Sequence, residues 1–273
     1  MDTFNSYAKI NLGLSLFGKR EDGFHNLETV MHEIDLSDEI YIEKALFDKD
    51  EIVVEGERIE GENLIATTLK YLRDRYEECP YFHIRLKKNI PMGAGLGGGS
   101  SNAIVVLKYA STFCEKSTQE ELECVAATLG SDTNFFLSGG TALCKGRGEQ
   151  IEQLEDKCFY FNLILPNIHC STPEVFKNCS VANYSAIDMR ELWNRGEIPG
   201  NDLMTPCFNA YPEMESLFSF INKKVDGLFL SGSGSTLFTY HENSKKCLDA
   251  FERLNALNDK RFRVVKAKSY YRS

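Results

Sequence analysis

A glycine-rich stretch at residues 91–103 carries the clearest chemical signal in the sequence. Five glycines lie within residues 93–99, and a Ser-Ser-Asn run follows them. Alternating polar and apolar residues at 83–87 predict a strand before this stretch, and the apolar residues at 103–107 predict a buried helix after it. Because glycine has no Cβ atom, the backbone N–H groups can approach a ligand closely, and the start of a helix favours an anion. The stretch therefore predicts a phosphate-binding loop.

Two known kinds of phosphate loop can be compared with these residues. The P-loop pattern ends in Gly-Lys-Ser/Thr, and residues 91–103 contain no lysine, so a P-loop nucleoside triphosphatase of the Walker type is excluded. Residues 93–98 do satisfy G-x-G-x-x-G, which keeps an NAD(P)-binding Rossmann oxidoreductase open as an alternative. The first Rossmann strand is an apolar run, whereas the strand before this loop carries Arg85, Lys87 and Lys88. The charged strand disfavours that alternative.

The loop resembles the second motif of the GHMP kinases, the superfamily of galactokinase, homoserine kinase and mevalonate kinase. Its sequence Leu-Gly-Gly-Gly-Ser-Ser-Asn-Ala is most similar to that of the members that act on a cytidine-diphosphate-linked methylerythritol. The resemblance implies that the protein binds ATP together with Mg²⁺. The implied ATP-binding residues are Asn63, Pro91, Met92, Gly93, Ala94, Gly95, Leu96, Gly97, Gly98, Gly99, Ser100 and Ser101.

The N-terminal segment resembles the first motif of the same superfamily, an Ala-Lys-x-Asn strand. Apolar residues at every second position from Ile10 to Leu16 predict a strand. Lys9 and Asn11 share the face opposite this apolar row, and from the residues alone that pattern is typical of a solvent-exposed face. The resemblance instead implies that Lys9 is catalytic and that Asn11 binds the substrate.

Asp132 is the implied catalytic carboxylate. From the residues alone, an aspartate at this junction is an ordinary N-cap of a short helix. The resemblance implies that Asp132 accepts the proton of the substrate hydroxyl and that a nearby Lys9 keeps it ionised. The segment departs from the family pattern at Ser131 and Asn134, which replace an alanine and a proline.

The turn that ends in Asp22-Gly23-Phe24-His25 resembles the segment with which these kinases recognise cytosine. The resemblance implies that His25 hydrogen-bonds the edge of the base and that the ring of Phe24 packs near it. Phe24 stands where the family has tyrosine, so a hydrogen bond from that position is excluded. The resemblance also makes Phe176 a residue that stacks on cytosine, although from the residues alone a core position is more common.

Later segments predict the rest of the fold. Ser117 to Glu120 predicts a capping box, and residues 231–236 resemble the third GHMP motif. From residue 214 onward, the predicted α-β-β-α-β order indicates a ferredoxin-like half. The resemblance implies an α+β fold with two domains: an ATP-binding domain like the second domain of ribosomal protein S5 at residues 1–155, and a ferredoxin-like domain at 156–273.

Composition limits the partners that we expect. A net charge of −9 and a pI near 5.2 argue against nucleic acid or a membrane surface as a partner. Nine cysteines without a C-x-x-C pair indicate reduced thiols, with neither a disulfide framework nor a zinc site. The N-terminus has no apolar leader, so we expect a cytoplasmic protein with a small-molecule substrate. The sequence leaves the Mg²⁺ ligands open, and it does not distinguish a monomer from a homodimer.

The motifs together predict ATP-dependent phosphorylation of the 2-hydroxyl of the cytidine-linked methylerythritol, a step in non-mevalonate isoprenoid precursor synthesis. A GHMP kinase for another small alcohol would keep Lys9, Asp132 and the glycine loop but would not need Phe24 and His25. A nucleotide-binding module without catalysis is disfavoured because both Lys9 and Asp132 are present. These alternatives remain open at the level of sequence.

Overall fold

The computed structural model describes residues 1–55, 63–115, 117–180, 182, 184–198 and 200–272. The chain forms two compact units. The first comprises Met1–Ala8, Leu36–Met92 and Gly97–Ser138, and the second comprises Lys9–Asp35, Gly93–Leu96 and Gly139–Ser273. The predicted domain boundary near residue 155 concerns the domains of the family and stays a prediction.

Two long strands, β1 and β2, contribute residues to both units and pair with each other. In the first unit, β4 pairs antiparallel with β2 and parallel with β3. The Rossmann alternative is therefore wrong, because the strand before the glycine loop belongs to a mixed sheet. The elements to this point are β1 (Asp2–Lys19), β2 (His25–Lys44), β3 (Glu51–Glu55), α1 (Leu64–Arg75), β4 (Phe82–Lys87), α2 (Gly98–Ser111), α3 (Gln119–Leu129) and α4 (Thr133–Ser138).

Local sequence signals explain where the helices of the first unit begin. Asn63 caps α1 by accepting a hydrogen bond from the Ile65 N–H at 3.0 Å, as predicted. The predicted capping box is wrong by one residue. Because α3 begins at Gln119, the box is formed by Thr118 and Glu121.

The second unit contains an antiparallel ladder of β2, β5 and β6 and a separate antiparallel sheet in the order β10-β7-β9-β8. The observed order α8-β8-β9-α9-β10 matches the predicted α-β-β-α-β order, and the α+β class is confirmed. The elements are β5 (Thr141–Gly146), β6 (Gln150–Gln153), β7 (Tyr160–Pro166), α5 (Thr172–Lys177), α6 (Met189–Arg195), α7 (Met204–Ala210), α8 (Pro212–Asn222), β8 (Phe229–Leu230), β9 (Leu237–His241), α9 (Ser244–Ala256) and β10 (Phe262–Lys268).

An apolar core lies under this second sheet. Buried residues of α8, among them Leu217 and Ile221, pack in one cluster with Ile164 of β7 and Leu237 of β9. Leu254 of α9 belongs to the same cluster. Burial of apolar area is the main favourable contribution to folding, so this cluster supports the loops that connect these elements. In the described part of the chain, no helix is both long and apolar enough to cross a bilayer.

Candidate active site

The glycine loop adopts a backbone that needs glycine. Gly93, Gly95 and Gly97 have φ values of +67°, +73° and +72°, a left-handed conformation that side chains with a Cβ atom disfavour. A Cβ atom at Gly95 would also lie 2.8 Å from the carbonyl oxygen of Gly234. Gly93, Gly95 and Gly97 therefore allow the loop to curve, and Gly95 allows it to pass close to the loop that contains Gly234.

The first helical turn after the loop presents backbone N–H groups. Gly97 is the N-cap of α2 and makes no side-chain cap hydrogen bond. The first N–H groups of a helix have no partner within the helix, and together with the helix dipole they favour an anion. Ser101 is buried, and its Oγ accepts a hydrogen bond of 2.7 Å from Ser6. Gly98, Gly99 and Ser100 remain partly or fully exposed and are better placed to meet a ligand.

A buried aspartate at position 38, which the sequence analysis did not identify, anchors the start of the loop. The Asp38 Oδ1 atom accepts hydrogen bonds from the backbone N–H groups of Asn89 at 2.7 Å and Ile90 at 2.8 Å. Its Oδ2 atom accepts one from Asn102 Nδ2 at 3.1 Å and forms an ion pair with Lys88. Asp38 thus connects the chain before the loop to α2 within the first unit.

In the second unit, two hydrogen bonds hold carbonyl groups of the loop. Thr236 Oγ1 donates to the carbonyl oxygen of Ala94 at 2.6 Å. The backbone N–H of Lys9 donates to the carbonyl oxygen of Leu96 at 2.9 Å. Since these bonds occupy carbonyl oxygens, they set the orientation of the peptide groups between residues 94 and 96.

Lys9 and Asn11 form a buried polar pair on β1. Lys9 Nζ donates to Asn11 Oδ1 at 2.7 Å, and each residue is 3% exposed. Asn11 is also fixed by its backbone N–H, which donates to Ser231 Oγ at 3.0 Å, and by its Nδ2, which donates to Thr29 Oγ1 at 2.9 Å. The solvent-exposed face expected from the alternating pattern is therefore wrong, because β1 is buried on both faces around these residues.

The loop at residues 231–236 connects β8 to β9 and contacts the same region. A Cβ atom at Gly232 would lie 2.9 Å from Asn11 Oδ1. Asn201 holds this loop by donating from Nδ2 to the carbonyl oxygens of Leu230 at 2.8 Å and Gly232 at 2.7 Å. The segment that resembles the third motif thus lies next to Asn11.

His25 lies in an aromatic cluster at the start of β2. Its ring centroid is 5.3 Å from that of Phe176 and 6.0 Å from that of Tyr184. His25 is 7% exposed, and its Nε2 atom is buried without a hydrogen-bond partner in the described part of the chain. Burial and the positive charge of Lys19 lower the pKa of His25 below its ordinary value of 6.5. Because buried polar atoms are normally hydrogen-bonded, a polar ligand could form a hydrogen bond with this nitrogen.

Phe24 lies beside this cluster in sequence but is 51% exposed. The guanidinium of Arg147 lies 4.9 Å from the centroid of the Phe24 ring, within the range of a cation–π interaction. Tyr184 and Arg147 were not identified by sequence reasoning. No local signal marks either residue, since each reaches the cluster through the fold.

Asp132 and Asn63 belong to the first unit. Asp132 directly precedes α4 and is partly buried. Thr133 holds the local backbone, because its Oγ1 donates to the carbonyl oxygen of Gly130 at 2.5 Å. The described residues include no group of three or more His, Cys, Asp or Glu side chains that could hold a metal ion.

The predicted site residues thus fall into three groups. Lys9, Asn11 and residues 93–96 lie together in the second unit, where His25 and Phe176 form a separate cluster with Tyr184. Asn63, residues 97–101 and Asp132 lie in the first unit. The roles assigned to these residues stay predictions.

Comparison with known proteins gives consistent similarities. The family described as "GHMP kinases N terminal domain" matches residues 63–140. A 4-diphosphocytidyl-2-C-methyl-D-erythritol kinase of Persephonella marina is 34% identical over 257 residues, which is 88% of this chain and 91% of that protein. The kinase of the same name from Caldanaerobacter subterraneus is also 34% identical, over 92% of each chain.

Solved structures agree with this result. The crystal structure of a 4-(cytidine 5'-diphospho)-2C-methyl-D-erythritol kinase matches with a TM-score of 0.82 and 29% identity, over 99% of this chain and all (100%) of that one. The mevalonate kinase of L. major matches with a TM-score of 0.70 and 16% identity, over 98% of this chain and 96% of that one. The second similarity concerns the fold alone, and together with the first it confirms the predicted α+β kinase fold.

Proposed function

The chain belongs to the 4-diphosphocytidyl-2-C-methyl-D-erythritol kinase family of the GHMP kinases, and on that premise we propose that it phosphorylates this substrate. The reaction transfers the γ-phosphate of ATP to the 2-hydroxyl group and yields ADP and the 2-phosphate. The observation that carries the substrate assignment is the Nε2 atom of His25, which is buried within an aromatic cluster and has no hydrogen-bond partner among the described residues. Identity to the relatives over most of the chain supports the same reading.

ATP binds along the glycine loop in this proposal. The N–H groups of residues 93–99 and the uncapped start of α2 receive the phosphate oxygens, because glycines allow close approach and the helix dipole favours negative charge. Pro91 and Met92 flank the loop, and Met92 is 39% exposed. Asn63, at the start of α1, contacts the adenosine.

Mg²⁺ accompanies ATP in this proposal. Mg²⁺ usually keeps several waters and is held by one or two carboxylates together with substrate phosphates. An ion of this kind would be held mainly by the phosphates of the nucleotide. When bound, the ion neutralises charge on the phosphate oxygens.

The cytosine of the acceptor binds at His25. Because burial keeps this imidazole neutral near pH 7, its Nε2 can donate to the base or accept from it, according to the tautomer. Phe24 and Phe176 offer ring faces for stacking on the base. Asn11, which is fixed by three hydrogen bonds, orients the part of the acceptor that carries the reacting hydroxyl.

Phosphoryl transfer passes through a loose transition state, so catalysis consists mainly of positioning and charge stabilisation. Asp132 orients the 2-hydroxyl and accepts its proton while the bond from oxygen to phosphorus forms. A carboxylate is a far weaker base than an alkoxide, so the proton moves late rather than before attack. The buried ammonium group of Lys9 stabilises the negative charge that develops on the transferred group.

ADP release from Mg-ATP, measured with and without the diphosphocytidyl acceptor, tests this proposal. We expect turnover that requires the acceptor and that falls by about 10²-fold to 10⁴-fold in Asp132→Asn, the usual contribution of a general base. Asp74→Asn, at an exposed position on α1 of the same unit, is the matched control and keeps full turnover. A folded protein that binds ATP but turns over only other small alcohols would contradict the substrate assignment.

A further inference from the structure

His169 contacts the glycine loop at its first left-handed glycine. A Cβ atom at Gly93 would lie 2.7 Å from His169 Nδ1 and 3.0 Å from its Cε1. The imidazole therefore occupies the space in which a side chain at position 93 would stand. Gly93 and His169 are both exposed, so this contact lies at the surface where the loop would meet a ligand.

The segment that carries His169 is anchored at both ends. On one side, Asn167 donates from its backbone N–H to the carbonyl oxygen of Arg261 and from Nδ2 to that of Lys260, each at 2.8 Å. On the other side, the backbone N–H of Ser171 donates to the Tyr211 hydroxyl at 2.9 Å. The imidazole is thus presented by a fixed backbone, which is what a positioned functional group requires.

The ring nitrogens of His169 are available for hydrogen bonds to a ligand. Neither has a hydrogen-bond partner among the residues that the structure describes. An imidazole always carries at least one N–H donor and carries two when it is protonated. The adjacent loop is built to receive phosphate oxygens, and the chain as a whole has a net charge of −9. An N–H donor beside this loop is therefore matched to an anion.

We propose that His169 is a further substrate-contacting residue, whose imidazole donates a hydrogen bond to a phosphate oxygen held at Gly93. This proposal rests on the proposed kinase function. Two phosphate groups share the required chemistry: the phosphates of ATP and the diphosphate of the acceptor. The position of His169 does not distinguish ATP from the acceptor. His169 contacts Gly93 of the glycine loop, and its segment continues into α5, which carries Phe176 of the His25 cluster.

Nucleotide binding measured by calorimetry tests the proposal without requiring turnover. We expect His169→Ala to weaken the binding of ADP, of CDP or of both by about tenfold, as is usual for a hydrogen bond to a charged group. Adenosine and cytidine, which lack phosphates, should bind as they do to the wild type. A loss with ADP alone assigns the contact to ATP, and a loss with CDP alone assigns it to the acceptor.

Two variants complete the experiment. His169→Gln keeps an N–H donor at the end of the side chain and should recover part of the lost affinity. His83→Ala, at a partly exposed histidine of β4 in the first unit, should change none of the four affinities. Unchanged ADP and CDP binding in a folded His169→Ala protein would overturn the proposal, as would an equal loss for the nucleosides. A wild type that binds ADP without turning over the acceptor would refute the proposed substrate and leave the ADP result interpretable.

Discussion

The Thr236 hydroxyl donates a hydrogen bond of 2.6 Å to the carbonyl oxygen of Ala94, across 142 positions of sequence. Thr236 is 0% exposed and Ala94 is 7% exposed, so water is largely excluded from this bond. The bond joins the loop between β8 and β9 to the first half of the glycine loop. The shape of the proposed phosphate site therefore depends on a residue that the glycine motif itself does not contain.

Replacing Thr236 with valine should loosen the glycine loop. The change preserves shape but leaves the Ala94 carbonyl oxygen buried without its donor, which costs about 1–3 kcal/mol. We expect a lower free energy of unfolding in urea and a raised KM for ATP. Thr236→Ser keeps the hydroxyl and should retain most of the ATP affinity. Equal KM values for the valine and serine variants would show that the hydrogen bond does not shape the site.

Replacing Gly95 with alanine should impair ATP binding more than the same change at Gly99. The added Cβ at Gly95 meets the Gly234 carbonyl oxygen at 2.8 Å, and its φ of +73° disfavours alanine. At Gly99, which is helical, the nearest atom to a new Cβ lies at 3.8 Å. Calorimetric titration with ADP measures the difference, and a Gly95→Ala protein with wild-type affinity would contradict it.

Replacing Asp38 with asparagine should destabilise the first unit strongly. The change leaves the Lys88 ammonium, whose side chain is 5% exposed, buried without its counter-charge. Removing one partner of a buried ion pair lowers the free energy of unfolding by about 3–5 kcal/mol. Urea unfolding measures this loss. Glu39→Gln, which removes a carboxylate from the exposed neighbouring pair with Lys87, is the control and should change stability far less.

His32 should make stability depend on pH. Burial lowers the pKa of His32 from its ordinary value of 6.5 to about 3, and its ring nitrogens are hydrogen-bonded to Thr141 Oγ1 at 2.9 Å and Ser269 Oγ at 2.7 Å. Below pH 6.5, His32 becomes protonated in the unfolded chain, whereas in the folded protein it stays neutral until about pH 3. The free energy of unfolding should therefore fall by up to about 1.4 kcal/mol per pH unit as the pH decreases through this range.

Comparison with His32→Gln isolates this contribution. The variant should show a shallower decline of unfolding free energy between pH 6.5 and pH 5, whatever its stability at pH 7. The carboxylates and His25, whose pKa is also lowered, remain in both proteins and cancel in the comparison. His83→Gln, at a partly exposed position, should keep the wild-type slope. Parallel slopes for wild type and His32→Gln would contradict the assignment.

Several features were predictable because they depend on neighbours in sequence. The glycines of residues 93–99 predicted a loop of phosphate-binding type, and three of them, Gly93, Gly95 and Gly97, have positive φ values that favour glycine. Asn63 predicted the start of α1 since a cap contacts its own first turn. The capping box at α3 was placed one residue early because Ser117 and Thr118 both fit its pattern. Only the helix start at Gln119 distinguishes them.

Other features depended on distant parts of the chain. The alternating residues of β1 indicated an exposed Lys9, yet Lys9 is buried because β1 is covered on both faces there, and its partner Asn11 donates hydrogen bonds to Ser231 and Thr29. The sequence around Tyr184, Arg147 and His169 does not indicate their contacts, because each of them contacts a residue more than fifty positions away.

The amino-acid sequence by itself determined the loop, the strands and helices around it, and the family, because these follow from local backbone preferences and from motifs in a set order. Tertiary structure alone decided which polar groups are buried and what each one contacts. The physical reason is that burial and hydrogen bonding are properties of the packed chain. Asp38 is a polar surface residue by type, and only the fold turns it into the anchor of the glycine loop.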